Sequence, residues 1–204
     1  MAVPHGIVAI KKTYGDPRGR DKAGRLTGKV SGAWTKKNLI YVPVSSGKAG
    51  YPWPPIPTRP KGGLRYAYNT SVIITRVRRH RLTAETWTEC MNEIWAHARW
   101  QVKLAHGYGR TTAQYDVMTY EWLVGRGLDI WGGCFVYRKK RVNGSELSAH
   151  AYGIADDWNP AENRQGTQGK MPQWWVNIWK SEGWTWGGDW DNPDPMHVQA
   201  GSGY

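Results

Sequence analysis

The sequence predicts an α+β fold, in which helices pack on a small antiparallel sheet and an irregular arm rich in Pro and Gly precedes them. Apolar residues recur at steps of three and four between Thr83 and His106, as on one face of a helix. Short runs of β-branched and aromatic residues elsewhere are separated by Gly and Pro, which is typical of strands. At 204 residues the chain fits one domain, 1–204, which can bury a substantial core.

The arm spans about residues 13–66, where Gly, Pro, Lys and Arg are frequent. It includes the Pro-rich run from Tyr51 to Pro57. Because proline has no backbone N–H to donate to a neighbouring strand, we expect mostly extended arm and loop in this part of the chain.

Three helices are predicted. The longest begins after Thr83, a suitable N-cap, and ends at Gly107, and its apolar stripe consists of Trp87, Met91, Ile94, Trp95, Ala98 and Val102. A shorter helix is predicted over 112–124, ended by Gly125. A third begins at Pro172 and ends at Gly183, with a buried side formed by Trp175, Ile178 and Trp179.

Strands are predicted over Cys134–Arg138, Gly153–Asp157 and Met196–Gln199. The basic run from Arg76 to Arg81 follows an apolar segment, Val72–Ile74. Its alternation predicts a further strand with a solvated basic face.

The net charge of +12 favours association with polyanions, such as nucleic acid, anionic membranes or the acidic polymers of a bacterial cell wall. No reading helix or zinc finger accompanies the basic run, so we expect no specific nucleic-acid partner. No apolar stretch is long enough to span a bilayer, so we expect no membrane insertion. We also expect a monomer.

The two cysteines, Cys90 and Cys134, lack a second cysteine at metal-ligand spacing, which excludes a thiolate zinc site. Reduced core residues are the commoner role for such cysteines, although pairing stays open. The segment from Met1 to Gly6 lacks the basic and apolar regions of a signal peptide. We therefore expect the protein to stay in a cytoplasm until a separate route releases it.

The C-terminal third contains His150, Asp157 and His197. Two imidazoles and one carboxylate form a set that zinc accepts, and three protein ligands leave a fourth position for water, as in catalytic sites. In a chain with six histidines such a combination also arises by chance. Spacing alone therefore does not separate a metal site from histidines that are hydrogen-bonded in loops.

Two sequence blocks carry a family resemblance. Residues Ser148–Asp157 fit the pattern S-x-H-x-x-G-x-A-x-D, and Gly183–Trp190 is followed by Asp194-Pro195-Met196-His197. The chain resembles the D-alanyl-D-alanine carboxypeptidase family of zinc peptidases, which includes phage L-alanyl-D-glutamate endopeptidases. The resemblance implies a Zn²⁺-dependent peptidase with a catalytic core at about 70–200. It further implies that the substrate is the stem peptide of bacterial peptidoglycan.

This resemblance leaves more than one function open. A phage endolysin with L-alanyl-D-glutamate endopeptidase activity is the favoured interpretation. A D,D-carboxypeptidase shares the same metal set. A non-catalytic cell-wall-binding or virion module on the same fold is the third alternative.

Carried over residue by residue, the family's metal ligands fall on His150, Asp157 and His197. Its general base falls on Asp194, three residues before the last histidine. Arg138 matches an arginine that precedes the first block, where a guanidinium could hold a substrate carboxylate or stabilise an oxyanion. The alternative for Arg138 is a surface arginine at the start of a basic run.

Three further residues are substrate-binding or supporting candidates. Ser148 is expected to donate or accept a hydrogen bond near the site rather than act as a nucleophile, because no base is placed beside it. Trp186 and Trp190 flank the Gly187-Gly188 turn and are candidates for the wall of the site.

The sequence departs from the family pattern at two positions. Asp156 stands where an aliphatic residue is usual, and because strand neighbours point to opposite faces, only one of Asp156 and Asp157 can face the metal. The motif register selects Asp157. Gln199 stands where Glu is frequent, but that position is not a ligand in the family.

Overall fold

The computed structural model describes residues 4–45, 52–140 and 144–202. Within these ranges the helices are α1 (Gly6–Tyr14), α2 (Gly32–Asn38), α3 (Ala84–His106), α4 (Thr112–Val124) and α5 (Gln173–Ser181). The strands are β1 (Arg18–Arg20), β2 (Leu26–Val30), β3 (Leu39–Pro43), β4 (Leu64–Tyr66), β5 (Asn69–Ile74), β6 (Arg76–His80), β7 (Ile130–Gly133), β8 (Ala155–Trp158), β9 (Thr185–Trp186) and β10 (His197–Gln199).

The main sheet has six strands in the order β5-β4-β7-β8-β10-β9. Its neighbours are antiparallel except β4 and β7, which run parallel. Two smaller antiparallel pairs, β1–β2 and β3–β6, complete the strand pairing. The predicted α+β class is confirmed, with one parallel pair in the sheet. Among the described residues, no helix combines the length and the apolar character that crossing a membrane requires.

The long helix α3 matches its prediction, since it starts after Thr83 and is followed by Gly107, whose φ is +77°. The predicted cap is different in detail, because the Thr83 side chain makes no capping hydrogen bond to the helix. The Thr83 hydroxyl instead donates to the carbonyl oxygen of His80 and accepts from Arg79 Nε. The helix packs against α4 and α5, so its apolar stripe forms the centre of the core.

Tryptophans form the part of the core that lies behind β8. Trp158, Trp175, Trp179 and Trp184 make ring contacts with centroids 4.9–6.0 Å apart, and all four are buried. The predicted core roles of Trp175 and Trp179 are confirmed. Because Trp158 directly follows Asp157 in β8, this packing also fixes the position of that strand.

The Pro/Gly-rich arm has more regular structure than expected. Between residues 13 and 66 it forms the β1–β2 pair, helix α2, and strands β3 and β4. The indole of Trp53 is fully buried against Trp95 and Tyr120, so the Pro-rich run contributes to the core. The expectation of mostly extended arm and loop therefore underestimated the arm, because its helix and strands lie outside the Pro-rich run and Trp53 anchors that run in the core. Residues 46–51 of the arm lie outside the described residues.

The basic run forms strand β6 as predicted, but its face is not uniformly solvated. Arg79 and His80 are buried, whereas Arg76 is exposed. Arg79 forms an ion pair with Asp156 and lies over the rings of Trp87 and Trp184. Arg79 lies on the opposite face of β6 from Arg76, where Asp156 is its partner. The expectation of a solvated basic face was therefore wrong for Arg79 and His80.

The strand predicted over Cys134–Arg138 was wrong, since the strand is β7 at Ile130–Gly133. Gly133 has a φ of +138°, and the β7–β8 register is irregular there, which ends the ladder. The chain that follows bonds instead to the segment around His150: Val136 N donates to His150 O. Cys90 and Cys134 are both buried free thiols.

Candidate metal centre

Three separate elements deliver the candidate ligands to one place. His150 lies in a 3-10 turn over Ala149–Tyr152, Asp157 lies on β8, and His197 begins β10. Asp157 and His197 are directly opposite each other in the antiparallel β8–β10 pair. The two strands therefore fix two of the ligands by backbone register, and the turn adds the third.

The potential ligand atoms converge closely. Asp157 Oδ1 lies 3.1 Å from His197 Nδ1 and 3.2 Å from His150 Nε2, and the two ring nitrogens are 3.3 Å apart. Tetrahedral ligands at zinc-to-ligand distances of roughly 2.0–2.1 Å lie about 3.3 Å from one another. The three atoms thus have the spacing of three corners of a zinc site.

Hydrogen bonds on the outer side of each ring fix which nitrogen points inward. His150 Nδ1 lies 2.6 Å from the carbonyl oxygen of Cys134, which can only accept, so this nitrogen carries the proton. His197 Nε2 lies 3.0 Å from Gln199 Oε1. The amide of Gln199 is oriented by its own NH₂ group, which donates to Gly201 O at 2.7 Å. In the neutral rings, Nε2 of His150 and Nδ1 of His197 therefore present lone pairs to the carboxylate.

This arrangement fits a cation. Two ring lone pairs and a carboxylate oxygen that face one another within 4.8 Å repel unless a proton or a metal ion lies between them. Metal-binding histidines commonly donate their other N–H to a carbonyl or carboxylate, as both rings do here. The donor set and its outer hydrogen bonds are thus suited to holding one metal ion.

The electrostatics keep the carboxylate charged. Burial alone would raise the pKa of Asp157, but the charge that His150 and His197 carry when protonated, together with their hydrogen bonds, outweighs burial and holds the pKa well below its usual range. Burial lowers the pKa of His197, yet the hydrogen bond and charge of Asp157 and the charge of Asp194 outweigh it and raise that pKa. Asp157 therefore remains in the ionised form that binds metal ions.

The structure separates the two adjacent aspartates. Asp157 faces the histidines, whereas Asp156 is fully buried on the other side of β8. There Asp156 Oδ2 lies 3.1 Å from Arg79 Nη1, and its Oδ1 accepts from Trp131 Nε1 at 2.9 Å. The arrangement is the one that motif register and strand alternation predict.

The predicted base, Asp194, is buried at the turn that leads into β10. Its backbone N–H donates to Gly187 O at 2.8 Å, and its carbonyl accepts from His197 N at 2.9 Å. Its charge contributes to the raised pKa of His197. The turn therefore places the Asp194 carboxyl group near the candidate ligand His197, and the hydrogen bond to Gly187 O holds the turn in place.

Both tryptophans of the second block lie at this turn. Trp186 donates its indole N–H to Pro195 O at 2.8 Å, which braces the turn from outside. The half-buried ring of Trp190 lies against His197, with centroids 5.3 Å apart. Trp190 is thus placed to form a wall of the site, whereas Trp186 supports the backbone of the turn.

Ser148 and Arg138 border the His150 segment. Ser148 Oγ accepts from His150 N at 3.4 Å, so the serine caps the turn that carries this histidine. Arg138 O accepts from Ser148 N at 3.0 Å, but the Arg138 side chain lines a neighbouring cavity with Lys11 and Arg18. None of the three candidate ligands is among the described residues lining that cavity. Arg141, in the same basic run, lies outside the described residues.

Two supporting groups were not predicted from sequence. The Cys134 carbonyl orients His150 and the Gln199 amide orients His197. A backbone carbonyl leaves no signal in the residue type at its position. Gln199 did leave one, because it stands where the family often has Glu, another acceptor two residues after the histidine on the same face of β10.

Residues 141–200 match the family model described as D-alanyl-D-alanine carboxypeptidase. The matched segment contains the three candidate ligands and Asp194, so the resemblance drawn from the two sequence blocks is confirmed over this part of the chain. No curated protein and no solved structure matches the chain. The family match indicates a peptidase, and the three converging side chains provide a candidate site for one metal ion.

Proposed function

We propose that this chain is a zinc-dependent peptidase that cuts the stem peptide of bacterial peptidoglycan, as a phage endolysin with L-alanyl-D-glutamate endopeptidase activity. The observation that supports it most is the convergence of His150 Nε2, His197 Nδ1 and Asp157 Oδ1, with both outer ring nitrogens already hydrogen-bonded. This convergence lies within the segment that matches the peptidase family.

In the proposed mechanism His150, Asp157 and His197 hold the zinc ion. When bound, zinc polarises a scissile carbonyl and makes a water molecule more acidic. The Asp194 carboxylate accepts the proton of the attacking water and delivers it to the departing amine. Burial of Asp194 beside His197 keeps that proton transfer inside the site.

Two further groups position the substrate in this proposal. Arg138 holds a carboxylate of the stem peptide through its guanidinium, which binds carboxylates in a two-pronged manner. Trp190, whose ring lies against His197, excludes water from one side of the reacting bond.

The test is digestion of purified peptidoglycan by the purified chain, with zinc, without it and after chelation. New amino termini should appear only with zinc, and mass spectrometry of the fragments should show L-alanine released from its bond to D-glutamate. Release of terminal D-alanine alone would instead establish the carboxypeptidase alternative. Binding to the wall without any released termini would establish the non-catalytic alternative.

Substitution of the base separates catalysis from folding. Asp194→Ala should abolish turnover while zinc binding and the folded state persist, because Asp194 is not among the three converging groups. Asp191→Ala is the matched control, since this residue is exposed and lies three positions earlier in the same loop. Equal activity of the two variants would exclude Asp194 as the base.

A further inference from the structure

A cavity of about 570 Å³ lies between α1, the β1–β2 pair and the segments at 137–139 and 145–147. Its charged and aromatic lining consists of Lys11, Arg18, Tyr137, Arg138, Lys139 and Glu146. We propose that this cavity, called here the cationic cavity, is a second binding site that takes a ligand with several carboxylate or phosphate groups.

The charge balance of the lining favours an anion. Arg18 is already paired with Asp16, at 2.5 Å, and Glu146 is paired with Lys140, at 2.8 Å. The remaining cations form no ion pair within the described part of the chain, and they are Lys11, Arg138 and Lys139. Three cations around one concave space raise the local concentration of anions more than the same charges on a flat surface.

The carboxylate of Asp16, which bonds to the lining residue Arg18, does not neutralise this excess. Asp16 has a lowered pKa, mainly because Arg18 donates hydrogen bonds to it, and the charge of Lys11 contributes. The Asp16 carboxylate is bonded to Arg18 through both oxygens. Arg18 and Asp16 thus form one closed pair, and the net charge of the cavity comes from the other three cations.

The size and composition of the cavity suit a small polar ligand. Sites for small molecules have volumes of roughly 300–1,000 Å³, and this cavity lies within that range. Arg138 offers a planar fork to a carboxylate or phosphate, whereas the two lysines act as mobile point charges. Tyr137 and Leu147 provide apolar surface between these charges.

Hydrogen bonds connect the residues that line the cavity to the segment that carries His150. Lys139 and Leu147 form an antiparallel bridge, and Arg138 O accepts from Ser148 N at 3.0 Å. Ser148 in turn caps the turn of His150. The lining residue Leu147 is two positions before the turn Ala149–Tyr152, which carries His150. An anionic ligand in the cavity is therefore held next to the segment that carries a metal ligand.

The occupant has two sources in a bacterial wall, namely the free carboxylates of the stem peptide and the phosphates of anionic wall polymers. In the first case the cavity is a subsite for the peptidase substrate, and the inference then rests on the proposed function. Lys11 and Arg18 lie outside residues 141–200, so the site would be a contribution of the N-terminal part of the chain.

Calorimetric titration of the full chain tests the inference with two probes, a soluble stem tetrapeptide and inorganic tripolyphosphate. The variant Lys11→Gln/Lys139→Gln should bind at least one of the two probes about tenfold more weakly than the unaltered chain does. Binding of that probe should also weaken as the salt concentration is raised. The control Lys22→Gln/Lys37→Gln removes the same charge from exposed lysines that do not line the cavity, and should bind as the unaltered chain does.

Each outcome decides the question. Loss of tetrapeptide binding in the cavity variant, with a raised KM and an unchanged kcat on peptidoglycan, assigns the cavity to the substrate. Loss of tripolyphosphate binding alone assigns it to wall phosphates. Equal binding by the cavity variant and the control overturns the inference even if peptidoglycan is cleaved, whereas normal anion binding without cleavage would refute only the proposed function.

Discussion

The guanidinium of Arg79 lies 3.1 Å from the carboxylate of Asp156, and both side chains are fully buried. This ion pair joins β6 to β8, and Asp156 directly precedes the candidate ligand Asp157. The guanidinium carbon of Arg79 lies over the rings of Trp87 and Trp184, 4.8 and 5.1 Å from their centroids. The pair explains why this chain tolerates an aspartate where the family usually has an aliphatic residue.

The first prediction concerns this pair. Asp156→Leu should destabilise the protein by about 3–5 kcal/mol, because it leaves the buried cation of Arg79 without a partner. The double variant Arg79→Met/Asp156→Leu should recover most of that loss, since an apolar pair restores the contact without a buried charge. Urea denaturation of the two variants measures the difference, and a double variant less stable than Asp156→Leu would contradict the prediction.

The second prediction concerns the orientation of His197. Gln199→Leu removes the acceptor for the N–H at His197 Nε2, so the ring no longer has a fixed inner lone pair. Zinc affinity should fall by about 10–100-fold, the usual effect of removing such an outer hydrogen bond. Competition with a chromogenic chelator measures the affinity without any assay of activity.

Two variants control this experiment. Gln199→Glu keeps an acceptor at the same position and should retain or increase the zinc affinity. Gln173→Leu replaces an exposed glutamine on α5 whose side chain donates to Asn177, and it should leave the affinity unchanged. Similar affinities for Gln199→Leu and Gln173→Leu would show that Gln199 does not orient the ligand.

The third prediction concerns the space at Gly187. A Cβ added there would lie 2.5 Å from Asp194 O and 3.2 Å from His197 Cβ. Gly187→Ala should therefore displace the turn, lower the zinc affinity and destabilise the fold by about 1–3 kcal/mol. Gly32→Ala is the control, because a Cβ there meets no atom within 4 Å. The melting temperatures and zinc affinities of both variants give the comparison, and equal values would contradict it.

The sequence predicts well where a local pattern determines the structure. The spacing of apolar residues locates α3, and Gly125 marks the end of α4 to the residue. The sequence blocks also select Asp157 over Asp156, because alternation along a strand is a local geometric rule. These features depend on few residues that are close together in the chain.

The sequence predicts poorly where the partner is distant in the chain. The burial of Arg79 depends on a carboxylate 77 positions away. The end of β7 at Gly133 depends on the ladder with β8, and Cys134 then bonds to His150 instead of continuing a strand. The order in the Pro-rich arm depends on Trp53 reaching Trp95 and Tyr120. Such pairings arise from tertiary contacts that periodicity and propensity do not contain.

A buried histidine that is not one of the candidate metal ligands makes the stability depend on pH. His80 Nε2 lies 3.1 Å from Tyr14 O, and its Nδ1 accepts from Leu82 N at 3.2 Å. This pattern requires the neutral ring, since a protonated Nδ1 cannot accept. Burial lowers the pKa of His80 to about 4. The hydrogen bond to Tyr14 O raises this pKa, whereas the charges of Arg81 and Arg79 lower it further.

The fourth prediction follows from that lowered pKa. Above pH 6.5 His80 is neutral in both the folded and the unfolded chain, so it does not affect the pH dependence of stability. As the pH falls from 6.5 to about 4, only the unfolded chain gains the proton, so the free energy of unfolding should decrease by about 3 kcal/mol. His80→Gln removes this titration, so urea denaturation at pH 7 and pH 4 should show a smaller decrease for the variant, by about that amount. Carboxylates titrate equally in both proteins, and parallel pH profiles would therefore show that His80 is protonated in the folded state.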